Sequence, residues 1–407
     1  MFTPPQPSKP EFIGIMAMLM ATLALSIDAM LPALPQIAAE LTPDFPNKAQ
    51  LVVTSFVLGM GLGTLVMGPL SDSFGRRSVL LGGAVVFCLG AILASQAQSL
   101  EMLLAARVLQ GFGASASRVI AIAIVRDLYA GRQMAQMVSF VIIVFTLVPA
   151  IAPSLGAAIL LVTSWRGIFV AFLIFSAVSV SWLMLRQPET LPPERRRPLR
   201  FGPVMSAARE VIAHPLVRRS ILVQTFVLGT MFSTISSVQM IFDQSFGKAD
   251  SFPLWFALIA LCGSFGGFLN SQLVMRIGMR DVIMRTLIVQ VALGVVYVGM
   301  SELHLWPEAL LFPAFMVWGI SVFAAVSLIL GNLNAMALEP MGHIAGTASS
   351  IISAVSTVGA VLIAVPVGLM FDGTPLPVAV GVLVCSVLAL LLMRTIRPVA
   401  ESRARSA

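Results

Sequence analysis

Apolar residues fill stretches of roughly twenty positions, one after another, from residue 12 to residue 394, with short polar breaks between them. Each stretch is long enough to cross a hydrocarbon core about 30 Å thick. Inside lipid every backbone polar group must be paired within the protein, so such spans are helices or strands of a closed barrel. Barrel strands alternate apolar and polar residues, and these stretches do not. The pattern predicts twelve helical spans, near 12–34, 49–69, 79–97, 101–124, 134–157, 166–185, 219–241, 252–275, 282–302, 308–332, 344–367 and 376–394. The expected fold class is an all-α membrane protein with twelve transmembrane helices in two six-helix halves.

The longest break divides six spans from six. It holds Glu189-Thr-Leu-Pro-Pro-Glu-Arg-Arg-Arg-Pro198, Pro-rich and basic, and reads as a tether on an anionic inner leaflet. The expected organisation is an N-terminal half over 1–185, a cytoplasmic basic linker over 186–218, and a C-terminal half with a short basic tail over 219–407. Met275-Arg-Ile-Gly-Met-Arg280 in the second half is a worn echo of the polar hinge in the first. Aligning Gly278 with Gly75 sets Arg280 under Arg77 and Met275 under Asp72. Two halves from an old duplication fit transporters that bind substrate near the midplane between repeats.

Composition agrees. Of 407 residues, 58% are hydrophobic and 11% charged, against about 25% charged in a soluble domain. No separate soluble domain is expected. The net charge of +7 would suggest nucleic acid in a soluble chain. Here it reads as membrane orientation. Of the 25 Lys and Arg, all but Lys48, Arg166, Lys248, Arg107 and Arg118 fall in alternate breaks and at the ends. Those segments hold Lys9; Arg76 and Arg77; Arg126 and Arg132; the linker arginines; Arg276, Arg280 and Arg285; and Arg394 with the tail. Both termini are therefore expected in the cytoplasm. Cys88, Cys262 and Cys385 lie in separate apolar runs and read as packing residues. The Pro-rich start with its single Lys9 reads as preceding a retained span, not as a cleaved leader.

The hinge Gly68-Pro-Leu-Ser-Asp-Ser-Phe-Gly-Arg-Arg-Ser78 reads as a short polar break between spans two and three. Gly68 and Gly75 permit tight turns. Asp72 can cap a helix or pair with a cation, and Arg76 and Arg77 mark the positive side.

Charge inside lipid is costly, so ionisable residues within spans are functional candidates. Three stand out: Asp28, Arg107 and Arg118. Pro32, four residues after Asp28, cannot donate the helical bond to the Asp28 carbonyl. A free carbonyl and a carboxyl then share one polar spot, which suits a group that gains and loses a proton; a structural Asp satisfied by neighbouring helices is the plain alternative. Gln110 and Gly111 follow Arg107 by three and four residues and share its face. Small residues after them admit a second helix closely. Asp28 and Arg107 each lie about six residues inside the outer end of their spans, roughly 9 Å deep. At equal depth they can meet directly, through water or through substrate, or form a permanent structural pair. Arg118 lies three turns on, roughly 16 Å deeper. It either reaches the inner headgroups or lines a water-filled cavity. Pro149 and Pro153, one turn apart in span five, kink their helix and free two carbonyls.

Together these residues resemble the major facilitator superfamily, its drug/proton antiporter branch, and within it the Bcr/CflA drug-resistance subfamily. The resemblance rests on Ile27-Asp-Ala-Met-Leu-Pro-Ala-Leu-Pro35, the hinge, Arg107-Val-Leu-Gln-Gly111, Val125-Arg-Asp-Leu-Tyr129, residues 149–156, Glu189-Thr-Leu-Pro-Pro-Glu-Arg-Arg196, and His343-Ile-Ala-Gly-Thr-Ala-Ser-Ser350. It implies the major facilitator fold and export of amphipathic antibiotics, chloramphenicol-like or bicyclomycin-like, in exchange for protons. By that resemblance Asp28 is the coupling carboxylate and Arg107 its partner. Gly68, Asp72, Gly75, Arg76 and Arg77 form the cytoplasmic gate. The substrate cavity is expected to take in Met30, Gln110, Gly111, Arg118, Pro149 and Pro153. Three positions depart from the family pattern: Ser73 replaces a basic residue, Met30 a Tyr, and Ala152-Pro-Ser-Leu-Gly-Ala157 a glycine-richer run.

The function expected is proton-coupled export of small amphipathic drugs across a bacterial inner membrane by alternating access. The alternative on the same fold is a proton-coupled transporter of one endogenous metabolite, such as an amino acid or sugar. A receptor or scaffold that does not transport is a third reading, which Asp28 and Arg107 speak against. An enzyme is not expected: His214, His304 and His343 are scattered, and no metal or nucleotide motif occurs. Expected partners are the small-molecule substrate, protons and membrane lipid, with no nucleic acid, cofactor or metal, and a monomeric state.

Overall fold

The computed structural model describes residues 7–196, 198–199 and 201–396, apart from the side chains of residues 132, 135, 139, 142–146, 201 and 203. Arg197, Arg200, Arg397, Arg403, Arg405 and the side chain of Arg132, which carry part of the charge asymmetry, lie outside the described residues. Those that are described form helices and turns, with no strand among them.

The chain divides into two compact units, Met1–Gly202 with Asp250–Ala257, and Pro203–Ala249 with Leu258–Ala407. The first holds α1 (Lys9–Asp28), α2 (Leu34–Leu41), α3 (Leu51–Phe74), α4 (Arg76–Ser95), α5 (Leu100–Leu128), α6 (Gly131–Leu160) and α7 (Trp165–Arg186). The second holds α8 (Phe201–Ala213), α9 (Pro215–Met240), most of α10 (Phe252–Ile277), α11 (Met279–Glu302), α12 (Glu308–Leu338), α13 (Ala345–Leu369) and α14 (Leu376–Arg394). Among the described residues ten segments are long and apolar enough to cross a membrane. One of them, Glu308–Leu369, is α12 and α13 joined through a 3-10 turn, Glu339–Ile344.

Large apolar side chains lie on the surface as well as in the core. Leu81, Val85 and Leu89 of α4, Ile174 and Val178 of α7, and Phe265 and Phe268 of α10 all face outward. Ser26, Thr54, Arg107, Gln110, Gln224 and Gln290 are buried. A surface of this kind suits hydrocarbon, in which apolar side chains need no shelter and polar ones do.

Two expectations about local structure are corrected. The first span is not one helix: α1 ends at Asp28, Leu31–Ala33 is a 3-10 turn, and α2 resumes at Leu34. Pro32 and Pro35 lack the N–H that would continue the helix. The hinge is shorter than a loop. α3 runs through Gly68 and Asp72 to Phe74, and α4 starts at Arg76, so Gly75 alone is the joint. Its φ of 96° and ψ of 157° are open to glycine and strained for other residues. The linker segment holds a 3-10 turn at Pro193–Arg195, and α8 begins at Phe201; both add detail to the expected tether.

In the first unit α5 is central and packs on α3, α4 and α1. The approach to α3 needs glycine: a Cβ on Gly111 would fall on the Phe56 carbonyl, and one on Gly59 would fall on the Val108 carbonyl. In the second unit α9 packs on α12, α13 and α14, around Val223, Val227, Leu287 and Leu333.

Candidate functional site

Arg107 is fully buried in the first unit and, among the described residues, has no carboxylate partner. Its Nε donates to the Val52 carbonyl of α3 at 3.1 Å. Nη1 donates to Gln110 Oε1, one turn on, at 2.6 Å. Nη2 donates to the Ser26 carbonyl of α1 at 2.8 Å. The guanidinium also lies 4.4 Å from the ring centre of Phe56 and 5.9 Å from that of Phe169 in α7. Neutral oxygens and aromatic faces therefore hold the cation, and four helices meet on it.

Asp28 is the last residue of α1 and is 4% exposed. Arg107 reaches α1 two residues before it, and no hydrogen bond or ion pair joins the two side chains. Among the described residues the Asp28 carboxyl has no hydrogen-bond partner at all. The turn beyond it places Met30 and Leu31 in full burial. α6 packs on α1 and on this turn. Gly156 of α6 lies against the Ala29 backbone, where a Cβ would overlap the carbonyl. Pro153 is buried one turn earlier, and Pro149 is part-exposed. Both prolines sit inside α6 and do not end it.

Gln110 completes this polar centre. Its Oε1 is taken by Arg107, and its buried Nε2 has no partner. A buried amide donor left open is a place for a ligand group or water. Arg118, three turns along α5, is half-buried and makes no hydrogen bond or ion pair among the described residues.

The second cluster surrounds Gly75. Arg76, 7% exposed, binds Asp72 Oδ1 at 2.5 Å through Nη1 and Asp127 Oδ2 at 2.9 Å through Nε. Nη1 also reaches Ser71 Oγ at 2.8 Å. Asp127 lies at the end of α5 and accepts from Thr190 Oγ1 at 2.9 Å. Glu189, in the linker, accepts from the backbone N–H groups of Arg76 at 3.0 Å and Arg77 at 3.1 Å. These are open donors of the first turn of α4, where a carboxylate is favoured by both hydrogen bonding and the helix dipole. Arg77 donates through Nη2 to the Met184 carbonyl of α7 at 2.6 Å. Of the two roles open to Asp72, it takes the pairing with a cation, and the cap on α4 comes from Glu189.

The sequence signature of the Major Facilitator Superfamily matches residues 15–364, which span both clusters. The chain belongs to that superfamily. It is 29% identical over 384 residues to a bicyclomycin resistance protein homolog of Haemophilus influenzae, with 93% of each chain covered. It is 30% identical over 334 residues to a chloramphenicol resistance protein of Pseudomonas aeruginosa, covering 81% of this chain and 76% of that one. Among solved structures it is similar to the crystal structure of a D-xylose-proton symporter, with a TM-score of 0.74 at 15% identity over 96% of this chain and 98% of that one. At that identity the likeness is one of fold.

As a major facilitator protein the chain is a multi-pass membrane transporter of small molecules and not an enzyme. Against this family background, sequence reasoning had singled out Asp28, Arg107 and Gln110 but missed the roles of Ser26, Val52, Phe56, Phe169, Asp127 and Glu189. Asp127 and Glu189 stood inside quoted motifs, and their acidity next to basic runs was the available signal. The other four act through backbone carbonyls or ring faces, which leave no polar mark in a sequence.

Proposed function

We propose that the protein exports small amphipathic drugs across the bacterial inner membrane in exchange for protons, by alternating access, with both termini in the cytoplasm. The observation that carries this reading is Asp28: a buried carboxyl without a partner among the described residues, two residues from a carbonyl that binds the buried Arg107. Relatives named for bicyclomycin and chloramphenicol resistance support the substrate class. In this reading Asp28 loads and releases the proton. With the carboxyl ionised, the nearby guanidinium is favoured as a neighbour; with it protonated, Arg107 falls back on Ser26, Val52 and Gln110. The open Gln110 Nε2 is offered to substrate, along a wall formed with Met30, Gly111, Arg118, Pro149 and Pro153. The cluster of Gly68, Asp72, Gly75, Arg76 and Arg77 gates the cytoplasmic end. The halves are 1–185 and 219–407, with the linker between.

The test is transport in proteoliposomes with an imposed pH gradient, against a panel of neutral and cationic antibiotics together with amino acids and sugars. Proton-driven movement of at least one amphipathic antibiotic is expected. Movement of a single sugar or amino acid alone would replace the drug reading, and uptake indifferent to the gradient would remove the proton.

A further inference from the structure

We propose that the seam between α4 and α7 binds one anionic phospholipid of the surrounding membrane, with its phosphate on Arg77 and one acyl chain in the groove beside it. The inference is independent of what is transported; it needs only that these helices stand in a bilayer.

A groove of about 280 Å³ runs along this seam, lined by Leu81, Val85 and Leu89 of α4 and by Ala177 and Ser181 of α7. The rims are large side chains, about half exposed, and the α7 side is small, which leaves room for a chain-shaped apolar guest. Along α4 the lining runs from Leu81 to Ile92, about 16 Å at 1.5 Å per residue. That matches one leaflet's share of a hydrocarbon core about 30 Å thick.

Arg77 stands at the end of this groove. It precedes Leu81 by four residues and so lies on the same face of α4. Its bond to the Met184 carbonyl, three residues past Ser181, carries the guanidinium across the seam. α4 has 20 residues, about the length of the hydrocarbon core, which sets its first turn at headgroup depth. Among the described residues no carboxylate forms an ion pair with Arg77. Asp72 and Asp127 are held by Arg76, Glu189 is turned to backbone N–H groups, and Glu11 is held by Arg186. Arg196 also lies against Gly75, beside the Glu189 carboxylate, with its buried Nε unpartnered. A guanidinium with donors to spare, at headgroup depth, above a chain-length groove, is a phosphate site of the kind an anionic lipid fills.

The experiment uses the full chain in nanodiscs of mixed lipid, with a phosphatidylglycerol analogue photoreactive on its acyl chain. Peptides are mapped after irradiation, and unlabelled phosphatidylglycerol competes in parallel with phosphatidylcholine. Labels are expected to concentrate on residues 81–92 and 176–181, with phosphatidylglycerol competing at about fivefold lower concentration. Arg77→Gln should reduce that preference to parity. Ala177→Phe, which fills the groove from an exposed position, should remove the label from the seam. Even labelling of all lipid-facing helices in the wild type, or equal competition by the two lipids, overturns the proposal without recourse to either variant. So does a phosphatidylglycerol preference that survives Arg77→Gln.

Discussion

Arg77 and Arg280 make the same kind of bond in the two units. Arg77 donates to the Met184 carbonyl near the end of α7, at 2.6 Å. Arg280 donates to the Ile396 carbonyl just past α14, at 2.8 Å. Each follows by two residues a glycine joint of positive φ, 96° at Gly75 and 82° at Gly278. The joint and its arginine clamp thus occur twice, but the acids beside them differ: Arg280 has Asp281 at 3.9 Å. Met275, the counterpart of Asp72, is 85% exposed. The first unit alone adds the buried Arg76 and its ring of acids.

Asp28→Asn is expected to abolish uphill, gradient-driven transport. The fold should survive, because the carboxyl has no partner to lose and Asn keeps its shape. Accumulation in proteoliposomes, beside melting in detergent, reads both effects. A mutant that still accumulates substrate against its gradient ends the coupling role.

Asp127→Asn and Asp72→Asn should differ. Asp127 is 19% exposed and Asp72 50% at the side chain. Removing Asp127 strips a buried cation of its better-shielded partner and should cost about 2 kcal/mol. Removing Asp72 should cost under about 1 kcal/mol, because water already screens that pair. If Asp72 belongs to a gate, its loss slows turnover with little change in substrate affinity. Chemical denaturation ranks the two variants, and the reverse ranking contradicts the assignment.

Glu189→Ala should destabilise the first unit by about 1 kcal/mol, the usual value of a helix cap. Glu189→Gln keeps one acceptor oxygen and loses the charge, so a smaller loss is expected. Thermal unfolding of both variants decides the matter, and an unchanged alanine variant means that the cap contributes nothing.

Gly111→Ala and Gly82→Ala form a matched pair. The first places a methyl on the Phe56 backbone, which cannot step aside; a loss above about 2 kcal/mol is expected. The second meets nothing within 4 Å and should be neutral or slightly stabilising. Equal effects would mean that the contact between α3 and α5 is slack.

Fold class was legible because lipid demands long apolar runs, and those runs leave little else to choose. Asp28, Arg107 and Arg118 stood out because a charge inside such a run has no trivial reason to be there. Asp28 was also marked as a break by Pro32, yet the span was still drawn as one helix, because hydrophobicity does not register a change of hydrogen-bond pattern. What Arg107 binds was hidden: its acceptors are main-chain carbonyls, which every residue has. The part played by Glu189 was hidden for another reason. Its bonds join positions more than a hundred residues apart, and local spacing carries no trace of them.

Glu189 also changes what the connecting segment is. On one side it is fastened at residues 189 and 190 to the first unit; on the other, Glu210 of α8 lies 2.8 Å from His343 of the second unit. Only residues 191–209 lie between the two fastenings, and from Phe201 on they belong to α8. A fragment cut at residue 199 leaves with its strap attached, whereas one cut at residue 186 leaves without it. Sites for splitting the gene, or for inserting a tag, are therefore unequal along this stretch: downstream of Arg196 an insertion lengthens a cord, and upstream it unties a knot.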